Sequence, residues 1–490
     1  MKSVSAPNAA LFSTVESYTF DDVLIVPGWS EALPAEVETA TSLAGVDLAI
    51  PFISAAMDTV TTAPLAISLA REGGIGVLHR NMSIEEQADQ VDRVKRSQSG
   101  MINAPVSLPP SATLADAEMI MSRHKISGVP ITDDQERLVG ILTNRDVRFC
   151  TEAESGESVT KFMTADNLVT APVATSLDDA VKVLHRHRIE KLPLVDEEGR
   201  LRGLITVKDI VKRIEKPDAT LDSKGRLRVA AAIGVSDAEE RSEALAEAQV
   251  DMLVIDTAHG HSRGVVDTVS LVKQRWPDLI VVAGNVVTAE GVEAMVHAGA
   301  DVVKVGVGAG SICTTRLVAG AGMPQLSAIY ECAVAGARLG VPTIADGGIV
   351  TSGDIVKAFA AGASAVMLGN ALAGVDEAPG ELELVDGSMW KTYRGMGSAG
   401  AMRGRAIDRY ATGQLPGNAK HVPEGVEARV RYAGSISDLV GQLVGGLRAG
   451  MGYAGTADLE ELRTQARLTK VTGAGLRESH PHDVQVTNEY

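Results

Sequence analysis

Eight short apolar runs, separated by stretches long enough for a helix, set the narrowest limit on how this chain folds. They are Phe52-Ile-Ser-Ala55, Ile75-Gly-Val-Leu78, Val229-Ala-Ala-Ala-Ile233, Met252-Leu-Val-Ile255, Ile280-Val-Val-Ala283, Val302-Val-Lys-Val305, Thr343-Ile-Ala345 and Ala365-Val-Met-Leu368. Each is mostly non-alternating, as expected of a parallel strand buried on both faces. The segments between them carry helical periodicity. Ser83-Ile-Glu-Glu-Gln-Ala-Asp-Gln-Val-Asp-Arg-Val-Lys95 reads as an amphipathic helix whose capping box is formed by Ser83 and Glu86. Strands alternating with helices predict an α/β fold, either a (β/α)8 TIM barrel or a doubly wound sheet. The barrel is favoured because chemistry-bearing residues follow several different strand ends, from early in the chain to late.

The alternation is interrupted between the second and third runs by an internal repeat. His124-Lys-Ile-Ser-Gly-Val-Pro130-Ile and Gly140-Ile-Leu-Thr143-Asn-Arg-Asp146-Val recur as His187-Arg-Ile-Glu-Lys-Leu-Pro193-Leu and Gly203-Leu-Ile-Thr206-Val-Lys-Asp209-Ile, 63 residues further on (124 to 187, 146 to 209). Each copy reads as helix, strand, turn, strand, helix. One copy cannot bury its sheet face alone, so the two are expected to pack together. The expected domains are a barrel built from 1–96 and 222–490 and an insert over 97–221, with its halves at 97–160 and 161–221.

Net charge narrows the partners. A formal charge of −17 argues against general nucleic-acid or anionic-membrane binding. A small anion remains compatible, because local Arg, Lys and helix N-termini override the global field. The three cysteines, Cys150, Cys313 and Cys332, are too far apart to suggest a disulfide framework and fit a reducing cytoplasm. No stretch approaches the roughly 18 apolar residues of a membrane span, and no basic-then-apolar leader opens the sequence.

Strand ends carry the chemistry in a barrel of this kind. The sixth run leads into Gly306-Val-Gly308-Ala-Gly310-Ser311-Ile-Cys313-Thr314-Thr315-Arg316. A glycine-rich turn lets ligand and backbone approach closely and leaves main-chain polar groups available. A cysteine placed there among hydroxyls is a candidate nucleophile, with packing as a small hydrophobe the alternative. Asp346-Gly347-Gly348-Ile349 with Ser352-Gly353-Asp354, and Gly369-Asn370, read as a phosphate cradle with a helix starting at once after each. Asp346 is placed to accept from a ribose diol. Asp256 precedes His259 and His261; a metal would need a third ligand, and Asp256 suits a second sugar. The polar, Gly- and Pro-punctuated stretch over about 386–434 reads as a mobile flap that closes over the site.

Tyr18-Thr-Phe-Asp-Asp-Val-Leu24, Ala56-Met57-Asp58-Thr59-Val60, Gly308-Ala-Gly310-Ser311-Ile-Cys313-Thr314-Thr315, Asp346-Gly347-Gly348, Tyr393-Arg394-Gly395-Met396-Gly397-Ser398 and Asp408-Arg409-Tyr410 together resemble the inosine-5′-monophosphate dehydrogenase/GMP reductase family over nearly the whole chain. The repeated insert resembles a tandem of cystathionine-β-synthase (CBS) domains. The resemblance implies NAD-dependent oxidation of IMP to XMP. Cys313 would attack C2 of the purine, Arg409 would act as base toward water with Thr315 and Tyr410 in support, and Glu424 would be a further proton acceptor. It implies IMP binding by Ser311, Asp346, Gly348, Gly369, Asn370, Tyr393, Gly395, Met396, Gly397 and Glu424, and NAD+ binding by Asp256, Gly306, Val307 and Gly308. It also implies a potassium ion on carbonyls of Gly308, Gly310 and Cys313, completed by Glu478, Ser479 and His480 of a neighbouring subunit. Thr143 with Asp146 and Thr206 with Asp209 would bind regulatory purine nucleotides, ATP or GTP, with helix capping as their other role. A cytoplasmic homotetramer, pairing to an octamer, is the implied assembly. Two departures stand out: Asn370 where the family has Ser, and Ala309 where Pro is commoner. GMP reductase, which uses NADPH, is the nearest alternative, and Arg409-Tyr410 weighs against it. A nucleotide-sensing protein with an inert barrel is a third reading.

Overall fold

All eight apolar runs form strands: β1 (Phe52–Ser54), β2 (Ile75–Leu78), β3 (Ala230–Ile233), β4 (Met252–Asp256), β5 (Ile280–Val286), β6 (Val302–Val305), β7 (Thr343–Asp346) and β8 (Ala365–Leu368). They close into a parallel barrel, with β8 pairing back onto β1 through Val366–Phe52, Met367–Ile53 and Leu368–Ser54. The computed structural model describes residues 16–97, 102–103, 105–124, 126–403 and 422–485. Its contacts divide the chain into one unit of Met1–Val94, Asp218–Thr220 and Arg228–Tyr490 and a second of Lys95–Pro217 and Leu221–Leu227.

The barrel interior follows from the period of two along each strand. Ile75 and Val77, Ala230 and Ala232, Met252 and Val254, and Ala365 and Met367 point into one core with Ile53, Val282, Val302 and Ile344. Small alanines opposite long methionines let the layers interdigitate. A hairpin of Thr41–Leu43 and Val46–Leu48 adds Leu43, Val46 and Leu48 to the same core. Thr41 donates to the carbonyl of Ser364, the residue before β8, at 2.8 Å, so this hairpin plugs the N-terminal mouth. The opposite mouth is left for the site.

Helices cover the outside. The expected capping box is present: Ser83 N–H donates to Glu86 at 2.8 Å and Glu86 N–H to Ser83 Oγ at 3.1 Å, opening the helix Ile84–Ser97. The helix Ile436–Ala454 lies against the helix Ser352–Ala360 through glycines; a Cβ at Gly450 would stand 2.4 Å from Val356 Cγ2.

In the second unit each repeat folds as read. Leu114–His124 precedes the antiparallel pair Gly128–Thr132 and Leu138–Thr143, and Leu177–His187 precedes Lys191–Val195 and Leu201–Thr206. The repeats are tied together symmetrically. Leu138 N–H donates to Gly199 O at 3.0 Å and Leu201 N–H to Glu136 O at 2.9 Å, each residue in the first bond having its 63-residue counterpart in the second. Sheet edges are exchanged as well. Ile102–Asn103 at the start of the first half pairs with Gly203 and Leu204 of the second, and Thr164 at the start of the second half bridges to Ile141 of the first. Where the unit begins and ends, Lys95 Nζ is 3.2 Å from Asp222 Oδ2, and Arg226 also binds Asp222.

Part of the stretch read as a flap is sheet. Leu382–Val385, Ser388–Arg394 and Glu427–Arg431 form three antiparallel strands. Lys391 makes this possible: its buried ammonium donates to the carbonyls of Val375 at 2.7 Å and Ala378 at 2.6 Å, pinning the middle strand. Residues 404–421 of that stretch lie outside the described residues.

Candidate active site

The loop leaving β6 is built to approach β7. Gly306 has φ +144°, and a Cβ there would stand 2.1 Å from the carbonyl oxygen of Asp346. Only glycine fits that contact and that backbone. Downstream, Cys313 N–H closes a turn on Gly310 O at 3.0 Å. The turn is then zipped to a distant segment: Thr314 N–H donates to Glu424 O at 2.9 Å and Val426 N–H to Ile312 O at 3.1 Å. That segment is bonded on its other side to Gly395 and Gly397, at 3.0 Å in both cases. Three stretches of chain thus form one wall carrying Cys313, Glu424 and Met396. Within it Cys313 Sγ is 3.2 Å from Thr315 Oγ1, and Thr315 Oγ1 donates to Glu424 Oε2 at 2.7 Å.

One cavity gathers most of the residues singled out in the sequence. Gly306, Val307, Gly308, Gly310, Cys313, Thr315, Asp346, Tyr393, Gly395, Met396, Gly397 and Glu424 line it, with Met57, Thr257, Ala258 and Asn285. Ser311, between the lining residues Gly310 and Ile312, does not line it, and burial pushes the Tyr393 phenol up to about 12, partly offset by Ser311. Gly369 lies alongside; a Cβ there would be 3.4 Å from Tyr393 Oη and 3.3 Å from Met57 Sδ. Asn370 opens a single helical turn directly after Gly369. Gly348, at φ +79°, packs on Gln325.

Other assignments fall elsewhere. Asp256 is 4% exposed and does not line the cavity. Glu478, Ser479 and His480 sit at the exposed end of the helix Gly473–Glu478 and do not line this chain's own cavity. Arg409 and Tyr410 lie outside the described residues. The helix of the first glycine group is Ser352–Ala360, with residues 347–351 between it and β7. Asp354 caps that helix itself, accepting from Val350 N–H at 3.1 Å and Thr351 N–H at 2.9 Å. Among the described residues no group of three or more His, Cys, Asp or Glu side chains is set to hold a metal, and His259 and His261 are no exception.

Lys304 was not singled out by the sequence reading, yet it organises the floor of the site. Its side chain is 1% exposed, and its ammonium donates to Asp256 Oδ1 at 3.0 Å, to Asp346 Oδ2 at 2.5 Å and to Asn285 Oδ1. Asn285 Nδ2 in turn donates to Asp346 Oδ2 at 2.9 Å and Gly306 O at 2.6 Å. One buried cation therefore holds both carboxylates read as sugar acceptors. The available signal was a lysine inside a four-residue apolar strand, where an unpaired charge would be prohibitively costly.

In the inserted unit, Thr143 N–H and Oγ1 both donate to Asp146 Oδ2 at 2.7 Å, a capping box that opens Asn144–Val147. Thr206 ends the matching strand and Asp209 falls in the helix Val207–Glu215.

Comparison with known proteins bears on this geometry. A sequence profile described as the IMP dehydrogenase / GMP reductase domain matches residues 17–482. Inosine-5′-monophosphate dehydrogenase of Halalkalibacterium halodurans is 57% identical over 476 residues, 97% of each chain. The Aquifex aeolicus enzyme of the same name is 56% identical over 477 residues and that of Bacillus subtilis 55% over 478, again 97% of each chain. Among solved structures, a cysteine-to-alanine variant of GMP reductase from Trypanosoma brucei in complex with guanosine 5′-monophosphate superposes with a TM-score of 0.89 at 42% identity, covering 96% of this chain and 99% of that one.

Proposed function

This chain belongs to the IMP dehydrogenase / GMP reductase family, and within it we propose that the protein oxidises IMP to XMP with NAD+ and water, releasing NADH. The observation that carries the reading is the Cys313–Thr315–Glu424 chain of contacts at the wall of a cavity that is also lined by glycine backbone, Asp346, Tyr393, Met57 and Met396. Identities of 55–57% to curated IMP dehydrogenases over 97% of the chain support the same reaction.

The hydroxyl of Thr315 has one hydrogen, and Glu424 takes it. Its oxygen therefore meets Cys313 as an acceptor, and the thiol is the donor in that 3.2 Å contact. Thr315 and Glu424 form a path by which the thiol proton leaves. The resulting thiolate adds to C2 of IMP, and the C2–H bond breaks with its electron pair. NAD+, when bound, accepts that hydride. A thioimidate on Cys313 remains; Glu424 first passes the thiol proton to solvent, then water adds to C2, its proton leaves by the regenerated Thr315–Glu424 path, and the C–S bond breaks to return the thiolate and release XMP. Arg409, supported by Tyr410, is assigned on sequence alone to activate this water. The two halves make opposite demands, dry for hydride transfer and wet for hydrolysis.

The remaining assignments rest on the same membership. Ser311, Asp346, Gly348, Gly369, Asn370, Tyr393 and Gly395–Gly397 hold the nucleotide. Gly306, Val307 and Gly308, which line the cavity, are assigned to NAD+, and Asp256 acts from beneath through Lys304. Carbonyl oxygens of Gly308, Gly310 and Cys313 on a turn closed at 3.0 Å fit a potassium ion, which would rigidify the nucleophile's loop. Glu478, Ser479 and His480 of a neighbouring subunit complete that site in a tetramer. Purine nucleotides bind the inserted repeats, which we read as CBS domains, at Thr143–Asp146 and Thr206–Asp209. A cytoplasmic location agrees with the free cysteines; no helix among the described residues is long and apolar enough to cross a membrane.

The test is direct. The protein is incubated with IMP, NAD+ and K+, and NADH absorbance is followed. Absence of NADH together with NADPH consumption in the presence of GMP would replace this reading with that of a GMP reductase, which the solved neighbour makes the specific competitor.

A further inference from the structure

The structure assigns a positioning role to the ion pair between Asp58 and Arg394: it clamps the purine-site loop at Gly395–Gly397 to the end of β1 and thereby sets affinity for the nucleotide. The inference deepens the reading above and rests on it.

Arg394 stands where the chain leaves a sheet and enters the site. It is the last residue of the strand Ser388–Arg394, paired with Glu427 across the sheet. Tyr393 before it and Gly395, Met396 and Gly397 after it all line the cavity. Its guanidinium turns away from the cavity, back onto the barrel. Nε lies 3.1 Å from both carboxylate oxygens of Asp58, and Nη2 lies 2.6 Å from Oδ2. Its main-chain N–H donates to Thr59 Oγ1 at 3.2 Å. The loop is thus attached to the residues after β1 by side chain and main chain at the same point. Met57, the neighbour of Asp58, lines the cavity and touches Tyr393 Oη through Sδ at 3.7 Å.

The Asp58 end is held from β2. Asn81 Nδ2 donates to Asp58 Oδ2 at 2.7 Å, and Asn81 N–H donates to His79 Nδ1 at 3.1 Å. The Asp58 side chain is 7% exposed while Arg394 is 35% exposed. An exposed pair contributes little. This carboxylate is buried, with a forked arginine and an amide fixed around it, so the geometry of the loop is set by a rigid partner. A merely neutralising cation would satisfy the charge without fixing the loop, and the two roles predict different kinetics.

Arg394→Gln should raise KM for IMP about tenfold, since a small displacement of positioning groups is enough for that, with kcat and KM for NAD+ within about twofold. Thr59→Val should act in the same direction more weakly and guards against a folding defect at Arg394. Arg394→Lys keeps the charge but not the fork, so it should restore the unfolding midpoint while leaving KM for IMP raised. Asp58→Asn combined with Arg394→Gln should be no worse than the stronger single change. The clamp is refuted if folded Arg394→Gln keeps the wild-type KM for IMP, if Arg394→Lys restores it fully, or if the two single effects multiply. Should the wild type make no NADH from IMP, the functional reading falls, and calorimetric binding of IMP then decides the clamp: about tenfold weaker binding in Arg394→Gln supports it and equal binding overturns it.

Discussion

Thr315 gives its hydroxyl hydrogen to Glu424 at 2.7 Å across 109 residues of sequence. Because that leaves the Thr315 oxygen facing the thiol, the two residues should act as one unit. Thr315→Val and Glu424→Gln are each expected to lower kcat by about 10²- to 10⁴-fold, the usual range for a lost proton-transfer group. The double variant should fall little further, as for groups that work together. Steady-state NADH production checks this, and multiplicative losses would show that the residues act independently.

Cys313→Ala should abolish turnover yet still bind IMP, because the thiol is one lining group among many in the cavity. Calorimetry with IMP, run beside the NADH assay, separates the two. A variant with residual steady turnover would exclude a covalent route through Cys313.

Replacing Lys304 with methionine leaves Asp256 and Asp346 without their shared cation. Breaking a buried pair in this way is expected to cost about 3–5 kcal/mol. Urea unfolding of Lys304→Met against wild type measures it; an unchanged midpoint would mean that the carboxylates find protons or other donors at no cost.

His79 supplies a pH dependence. Burial, opposed by Asp58 and reinforced by Arg394 and Arg241, lowers its imidazole from 6.5 to about 4. The folded protein therefore binds fewer protons than the unfolded chain between those values, so stability is full above pH 6.5 and declines as pH falls toward 4. The loss amounts to about 3 kcal/mol at most. Urea midpoints at several pH values should show this slope in the wild type and a shallower one in His79→Gln.

Two glycines of one helix should respond oppositely to alanine. At Gly450 the new Cβ would meet Val356 Cγ2 at 2.4 Å and Cγ1 at 2.8 Å, and a β-branched side chain cannot swing aside. Gly450→Ala should cost about 1–3 kcal/mol through overpacking. At Gly441 nothing lies within 4 Å of the added carbon. Gly441→Ala should stabilise the helix by up to about 1 kcal/mol. Thermal unfolding of both variants tests the close approach of the helices Ile436–Ala454 and Ser352–Ala360.

What the sequence revealed was local or periodic. The eight strands were readable because a strand buried on both faces needs an unbroken apolar run, and the Ser83–Glu86 cap because its partners are three residues apart. Cys313 and its glycines stood out because few roles need that composition at a strand end. The contacts that escaped are those created by closure of the barrel. Lys304 meets Asp256 and Asp346 only once barrel closure brings β6 beside β7 and, across β5, within reach of the end of β4, and nothing near any of the three announces the others. Lys391 looked like part of a polar lid because its carbonyl partners at Val375 and Ala378, 16 and 13 residues upstream, follow no helix or strand periodicity that would point to them. Exchange of edges between the repeats escaped for the same reason: the offset of 63 residues shows that two similar units exist but not which segment completes which sheet.

The ion pair between Lys95 and Asp222 has a consequence for how the inserted unit was accommodated at all. Chain entry and exit are tied by a side-chain bond, Lys95 Nζ to Asp222 Oδ2 at 3.2 Å, with Arg226 on the same carboxylate. Seen from the rest of the chain, more than a hundred residues therefore amount to a loop whose ends are already joined. Closing such a loop becomes harder only logarithmically, by about 0.6 kcal/mol for each doubling of its length. The entropy of a long excursion is met inside the excursion, by its own paired termini. Length and sequence between those termini are free to vary with little effect on the register of β2 and β3, the strands that flank the insertion.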